Sequence, residues 1–388
     1  MTEMTAGELI SLRREFHRIP EVAGEEFKTA ALVAETLRSW GIETRTGVGG
    51  TGVVATVRGR AGDGPAVAVR ADMDGLPVTE DTGLPFASEH PGRMHACGHD
   101  GHMAIALGAA RTLEGMRDRL RGTAIFLFQP AEETVGGAAG MIAAGALASP
   151  KPELIVGLHI WPGFDSGVFA VRPGPVMASV DRFDIDFVGR GGHGAMPHLG
   201  VDPVVMASEA VISFQRVASR EVDPLEPAVL TVGRIQGGTT FNVIPEEVSL
   251  TGTVRTLNQE VREFMRRRLE DISAGIAGAF RGAVRFRWEE GVPPTVNDAA
   301  AARRVERILK ENFGEGRVLT EFRPSMGGED FALYQREAPG VYFFLGARNP
   351  DKDCAYPLHH PRYRFDEDVL PLGVRAFCGI VLDFLRAP

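Results

Sequence analysis

The stretch 123-TAIFLFQPAEETVGGAAGMIAAGAL-147 decides the fold. It opens on seven uncharged residues, carries the pair Glu132-Glu133 at its centre, and closes on a glycine- and alanine-rich segment of helical texture. A short continuous apolar run bounded by proline reads as a strand buried on both faces, which is found where helices cover both sides of a largely parallel sheet. Its neighbours repeat the pattern. Similar runs occur at 51-TGVVATV-57, 66-AVAVRA-71 and 154-LIVGLHI-160, separated by helix-like stretches such as 103-MAIALGAARTL-113. Two amphipathic helices precede them, marked by Leu9, Leu12 and Phe16, then by Ala30, Val33, Leu37 and Trp40, with Gly41 as a C-cap. The alternation predicts an α/β domain.

Near residue 180 the texture changes. Alternating 183-FDIDFVGRGG-192, helical 203-PVVMASEAVISFQRV-217, strand-like 228-AVLTVGRI-235 and 247-EVSLTGTVRT-256, helical 259–278 and strand-like 283-AVRFRW-288 follow in order. Strand, helix, two strands, helix, strand is the order of a ferredoxin-like α+β unit. From 291 the α/β pattern returns, with a helix to about Asn312, apolar 341-VYFFLG-346 and a closing helix from Asp366 to Leu385. The expected organisation is therefore a larger α/β domain in two pieces, 1–180 and 291–388, interrupted by an inserted domain over 181–290.

With 388 residues, 44% of them hydrophobic, the chain has ample material for buried cores. A net charge of −9 leaves no basic field for phosphate backbones, so a small molecule is expected as partner and nucleic acid is not. Three cysteines, Cys97, Cys354 and Cys378, are too few for a disulfide framework and suit a reducing compartment. The opening MTEMTAGELISLRREF has no apolar core of a signal peptide, and no run of 18 apolar residues occurs. A cytoplasmic location without membrane attachment is expected.

Chemistry gathers where the strands end. The segment 94-MHACGHDGH-102 puts Cys97, His99, Asp100 and His102 within six residues, flanked by glycines. A lone Cys-x-His pair is more often a turn with a buried thiol than a metal site. Ligands of open α/β sheets, however, bind beyond the carboxyl ends of the strands. Asp72 and Asp74 follow one strand, Glu132 and Glu133 a second, His159 ends a third, and His359 and His360 lie about a dozen residues beyond a fourth. Glu-Glu pairs usually sit on solvated helix faces, but this one lies between a buried strand and an apolar helix, where two anions require a cation. On an extended backbone the two side chains would point opposite ways and so divide the roles of ligand and base. In the inserted domain, His193 lies in the glycine-rich turn 189-GRGGHGAMPH-198, Asn242 in 240-TFNVIPEE-247 and Arg255 in 251-TGTVRT-256. A turn histidine, a turn amide and an exposed guanidinium are the plain alternatives; an arginine is also the side chain best matched to a substrate carboxylate.

MHACGHDGH, QPAEE, the GLH around His159, GGHGAMPH, FNVIP, GGEDF at 327–331 and LHHP at 358–361 together resemble the M20 metallopeptidases, most closely their amidohydrolase branch, which includes hippurate, N-acyl-amino-acid and auxin-conjugate hydrolases. The resemblance implies a zinc-peptidase-like catalytic domain with an inserted lid and dimerisation domain, and a homodimer or homotetramer assembled through that lid. It implies two divalent ions (Zn, Mn, Ni or Co) held by Cys97, His99, Glu133, His159 and His359, with Glu132 as general base. His193 would steady the developing oxyanion, in its own site or a partner's, and Asn242 and Arg255 would hold the substrate carboxylate. Where the broader family has a histidine, this chain reads 71-ADMD-74, which leaves Asp72 and Asp74 as supports of the ligands. The implied activity is hydrolysis of N-acyl amino acids to a carboxylic acid and an amino acid. A dipeptidase or carboxypeptidase of the same family is the nearest alternative; a cysteine hydrolase using Cys97 and a non-enzymatic sensor of acyl amino acids are more remote.

Overall fold

The computed structural model describes residues 3–385, which form two compact units. The first comprises the residues up to Gly174, Val296–Arg323 and the residues from Asp330 onward; the second comprises Pro175–Thr295 and Pro324–Glu329. The sequence reading set its change-overs at 181 and 291 and contained no return of the chain at 324–329. That return is made by main-chain pairing within the second unit: the Ser325 N–H donates to the Val176 carbonyl at 2.9 Å, and the Ala178 N–H to the Gly327 carbonyl at 2.9 Å.

The first unit is built on a mixed eight-stranded sheet in the order Glu43–Thr46, Val53–Arg58, Thr123–Gln129, Ala66–Asp72, Leu154–Asp165, Gly340–Arg348, Phe169–Ala170, Val318–Leu319. The four central strands run parallel, in registers that set Ala66 opposite Thr123, Val67 opposite Leu154 and Gly340 opposite Ile155. Side chains alternate across such strands. Ala124, Phe126 and Phe128 join Val67, Val69 and Val156 in the core shared with helices Ala6–Arg18, His99–Glu114 and Leu370–Leu385. The intervening Ile125 and Leu127 face the other way and are buried as well, so both faces of this strand are covered. The first helix starts on a capping box in which Thr5 and Glu8 exchange side-chain and main-chain bonds.

One buried polar network lies at the ends of two central strands. Arg70 donates to Gln129 Oε1 at 2.8 Å, to Asp72 Oδ2 at 2.5 Å and to Asp330 Oδ1 at 2.9 Å. Asp330 also accepts from the Gln129 amide at 2.8 Å and from the Ala138 N–H at 3.0 Å, in the first turn of helix Gly137–Ala143. Asp330, the aspartate of GGEDF, thus ties two strands to the helix after Glu132-Glu133.

The second unit has a four-stranded antiparallel sheet in the order Ala228–Gly237, Glu247–Thr256, Asp181–Val188, Ala283–Glu290, with helices Pro203–Arg216 and Gln259–Ala279 packed on it. In chain order the strands lie second, third, first, fourth, which is ferredoxin-like. Phe183, Ile185, Phe187 and Leu250 alternate inward against Met206, Phe214 and Leu269. The buried Arg262 closes a two-pronged pair with Asp181 at 2.7 and 2.6 Å. A short ribbon, Gly192–His193 against Val243–Ile244, accompanies the sheet.

Removing one partner of a buried ion pair strands the other charge. Asp330→Ala is expected to destabilise the first unit by about 3–5 kcal/mol, read as a lower midpoint in urea; a loss below about 1 kcal/mol would show that Arg70 is held by its remaining partners.

Candidate metal centre

Cys97 and His99 are presented by a tight turn into helix His99–Glu114. The turn passes through Gly98 at φ 89°, and a Cβ there would stand 3.1 Å from the Tyr363 hydroxyl. The conformation favours glycine, and the Tyr363 hydroxyl leaves a side chain there little room. His159 lies within strand Leu154–Asp165 rather than at its end, because pairing with Gly340–Arg348 continues past it to Arg348 opposite Asp165. It reaches the site because the neighbouring strand's pairing stops at Arg70 opposite Gly157. Glu132 and Glu133 occupy a turn, not the extended backbone expected from the sequence. Left-handed residues flank them, Ala131 and Val135, both at φ 53°. A β-branched residue at positive φ is strained, and such strain survives only where surrounding bonds impose it. Here Val135 N–H donates to Glu132 O at 2.7 Å, and Glu133 N–H to Asp74 Oδ2 at 3.0 Å. His359 is also left-handed, at φ 64°, and its N–H donates to the Ala96 carbonyl at 2.8 Å, joining its loop to the Cys97 turn.

Hydrogen bonds fix which histidine nitrogens are free. A carbonyl can only accept, so His99 Nδ1, 2.9 Å from the Asp74 carbonyl, carries a proton; so does His159 Nδ1, 2.7 Å from the Ile160 carbonyl. The Nε2 lone pairs of both rings are thereby left for a cation, the arrangement found at metal-bound imidazoles. His159 Nε2 lies 3.5 Å from Cys97 Sγ. His99 Nε2 lies 3.9 Å from Glu133 Oε1, which lies 3.4 Å from His359 Nε2. His99 Nε2 and Glu133 Oε1 are both buried without a hydrogen-bond partner. Buried polar atoms without partners are rare and mark a missing ion or water. The groups Cys97–His99–His159, Cys97–Glu133–His359 and His99–Glu132–Glu133 each lie within 4.8 Å of one another and share members, so they form one constellation. Thiol, imidazole and carboxylate donors of this kind fit a transition-metal cation.

A fourth group, Asp72–His99–His102, has the same spacing. His102 cannot serve as a ligand: its Nδ1 donates to Asp72 Oδ1 at 2.6 Å and its Nε2 accepts the Ile160 N–H at 2.8 Å. His360 stacks on Tyr356 and accepts the Arg362 N–H at 3.0 Å.

Electrostatics point the same way. Burial opposes a charge on His99, yet Asp72, Asp74 and Glu133 raise it to about 10. Burial, then Glu133, Glu132 and Asp72, push the Cys97 thiol well above its usual range. Burial and the neighbouring His102 hold His159 well below the ordinary imidazole value. The surplus of negative charge retains protons where a cation would neutralise it. A nucleophilic cysteine needs a lowered value, so the raised Cys97 thiol argues against cysteine hydrolysis.

Six of the residues singled out from sequence, Cys97, His99, Glu132, Glu133, His159 and His359, come together in the first unit. His193, Asn242 and Arg255 belong to the second. His193 is exposed in the ribbon opposite Val243, with its Nδ1 accepting the Ala195 N–H at 3.0 Å. The exposed Asn242 offers its carbonyl to the Gly194 N–H at 2.9 Å. Arg255 is half-buried opposite Val229. Sequence reasoning gave no role to Asp100, whose carboxylate meets Arg13 Nε and His17 Nδ1, each at 2.7 Å, and anchors helix His99–Glu114 to the first helix. Its place beside His99 was the only signal.

Beside His159 and His359 lies an open recess of about 410 Å³ lined by Trp161, Pro162, Gly163, Ala355, Pro357 and Leu358, none of them charged.

Residues 68–383 match the model of peptidase family M20/M25/M40. An N-acetyl-L-cysteine deacetylase of Bacillus subtilis (strain 168) is 41% identical over 364 residues, which cover 94% of this chain and 85% of that protein. Thermostable carboxypeptidase 1 of Saccharolobus solfataricus is 40% identical, with 97% of this chain and 95% of that protein covered. Among solved structures, the YXEP protein of Bacillus subtilis, described as a dinuclear metal binding peptidase of the M20 family, superposes with a TM-score of 0.86 at 35% identity, covering 98% of each chain.

His99→Ala and His159→Ala are expected to lose bound metal on elemental analysis, whereas His102→Asn retains it; equal losses in all three would reject the hydrogen-bond assignment. Because a cation must displace the raised Cys97 proton, its affinity is expected to rise with pH, by about tenfold per unit for each proton released. Titration with Zn²⁺ at several pH values measures this, and a flat profile would contradict it.

Proposed function

The chain belongs to peptidase family M20/M25/M40, and from that premise we propose that it hydrolyses the amide bond of N-acyl amino acids with two divalent ions bound. One observation carries the reading: two imidazoles with tautomers set by carbonyls, a thiol and a carboxylate converge beside Glu132, whose own main chain is held in a strained turn. Cys97, His99, Glu133, His159 and His359 would hold the ions, with zinc, manganese, nickel and cobalt all compatible with these donors. Ions bound there would polarise the amide carbonyl and make water acidic enough to ionise near neutrality.

Glu132 takes the proton from the attacking water and delivers it to the departing nitrogen as the C–O bond forms and the C–N bond breaks. The products are a carboxylic acid and an amino acid. We assign His193 to the developing oxyanion, and Asn242 and Arg255 to the substrate carboxylate, on the strength of their motifs and chemistry. The uncharged recess at Trp161 and Leu358 suits an apolar acyl group. A carboxypeptidase activity, as in the relative of that name, would use the same centre on a peptide instead of an acyl group. The uncharged lining favours the acyl substrate.

Assembly as a homodimer or homotetramer is assigned to the second unit, where Ala228–Gly237 is an edge strand and Ile235, Phe241 and Val243 are exposed. No described helix is long and apolar enough to cross a membrane, and the three cysteines are unpaired, which suits the cytoplasm.

Glu132→Gln is expected to keep its metal and lose about 10²–10⁴ of kcat on a panel of N-acetyl, N-benzoyl and indoleacetyl amino acids. Wild-type turnover by this variant would refute the base, and turnover of dipeptides alone would favour the peptidase reading.

A further inference from the structure

The turn that carries Glu132 is held from outside by a residue with no place in the constellation above. Glu26 precedes helix Phe27–Ser39 and is wholly buried. Its Oε1 accepts the N–H groups of Gly24 and Ala131, each at 2.9 Å, and its Oε2 accepts the Thr51 hydroxyl at 2.7 Å. No cation pairs with it among the described residues. A buried carboxylate without a counter-charge is costly, and it is tolerated here with three donors directed at it.

Of those donors, Ala131 is 105 residues distant and is the left-handed residue directly before Glu132. The Ala131 carbonyl in turn accepts the Gly136 and Gly137 N–H groups at 3.3 and 3.2 Å, so residue 131 anchors both ends of the turn. On the other side of Glu132, the Glu133 N–H is held by Asp74 at 3.0 Å. The amides flanking Glu132 are therefore each fixed by a buried carboxylate from another part of the chain. We propose that Glu26 is a positioning residue for Glu132, holding the left-handed turn at Ala131 that aims the general base.

This rests on the reading of Glu132 as base, but hydrogen exchange at residues 129–135 tests the hold itself whichever amide the enzyme cleaves. Three metal-loaded proteins are compared: wild type, Glu26→Gln, which keeps a weaker acceptor for the two amides, and Glu26→Ala, which keeps none. Expected are faster exchange of the Ala131 amide in the order wild type, Gln, Ala, and kcat falling in the same order. The Ala variant should lose about ten- to a hundredfold, since small misplacements of a catalytic group have effects of this size, with KM within about twofold and metal content unchanged. A purely structural role would lower thermal stability without moving kcat of the folded enzyme, and that result overturns the proposal. So does unchanged exchange at Ala131, a loss confined to KM, or a Gln variant no better than Ala. Should Glu26→Ala fail to fold, Glu26→Gln decides: faster exchange at Ala131 with the rest of the core unaltered supports the hold, and wild-type exchange refutes it. If the wild-type enzyme cleaves no N-acyl amino acid, the functional reading fails, and the exchange result still judges whether Glu26 holds the turn.

Discussion

Charge concentrated where water is scarce is the constraint on which the first unit depends. Asp72, Asp74 and Glu132 are buried and Glu133 nearly so, all around the buried Cys97 and His99. Carboxylates so placed repel one another and lose hydration, so each must find a proton, a guanidinium, an imidazole or a metal. Arg70 answers for Asp72 and Asp330, and Arg13 with His17 for Asp100. Asp74 Oδ1, Glu133 Oε1 and His99 Nε2 are left without a hydrogen-bond partner, and the unmet bonding of Glu133 and His99 is what a cation at this candidate centre would answer.

Main-chain carbonyls do much of the selecting. Ile160 separates two histidines: its carbonyl accepts the hydrogen bond of His159 Nδ1–H and so leaves Nε2 free, while its N–H donates to His102 Nε2. Two rings with centroids 4.7 Å apart thus both carry a proton on Nδ1, yet Nε2 is free in one and occupied in the other. Asp74 acts similarly, its carbonyl orienting His99 while its side chain holds the Glu133 amide, so that imidazole and turn are positioned together. The left-handed Ala131, Val135 and His359 are the backbone counterpart of this arrangement.

Much of the fold was legible in the chain because burial leaves a period. The uncharged run 123–129 could only be covered on both sides, and the alternation at 183–188 and 247–256 could only line one face of a sheet. Less was legible where a contact joins distant segments. The strand through His159 continues because Gly340–Arg348 runs beside it, and Glu132-Glu133 turns because Asp74 and the Ala131 carbonyl hold it. Glu25 and Glu26 are neighbours of one chemistry in the sequence, yet the first is exposed and the second wholly buried.

By itself, then, the order of residues determined the central strands and the long helices, that the second unit is ferredoxin-like, and which thiol, imidazole and carboxylate groups were available to bind metal. Those follow from local periodicity and from the chemistry of the side chains. Tertiary structure decided which nitrogen of each histidine is free, why His102 is excluded while His99 is not, and how the turn at Glu132 is held. Each of these depends on a donor or acceptor brought from far along the chain, and hydrogen bonding acts over distances in space that sequence separation does not encode.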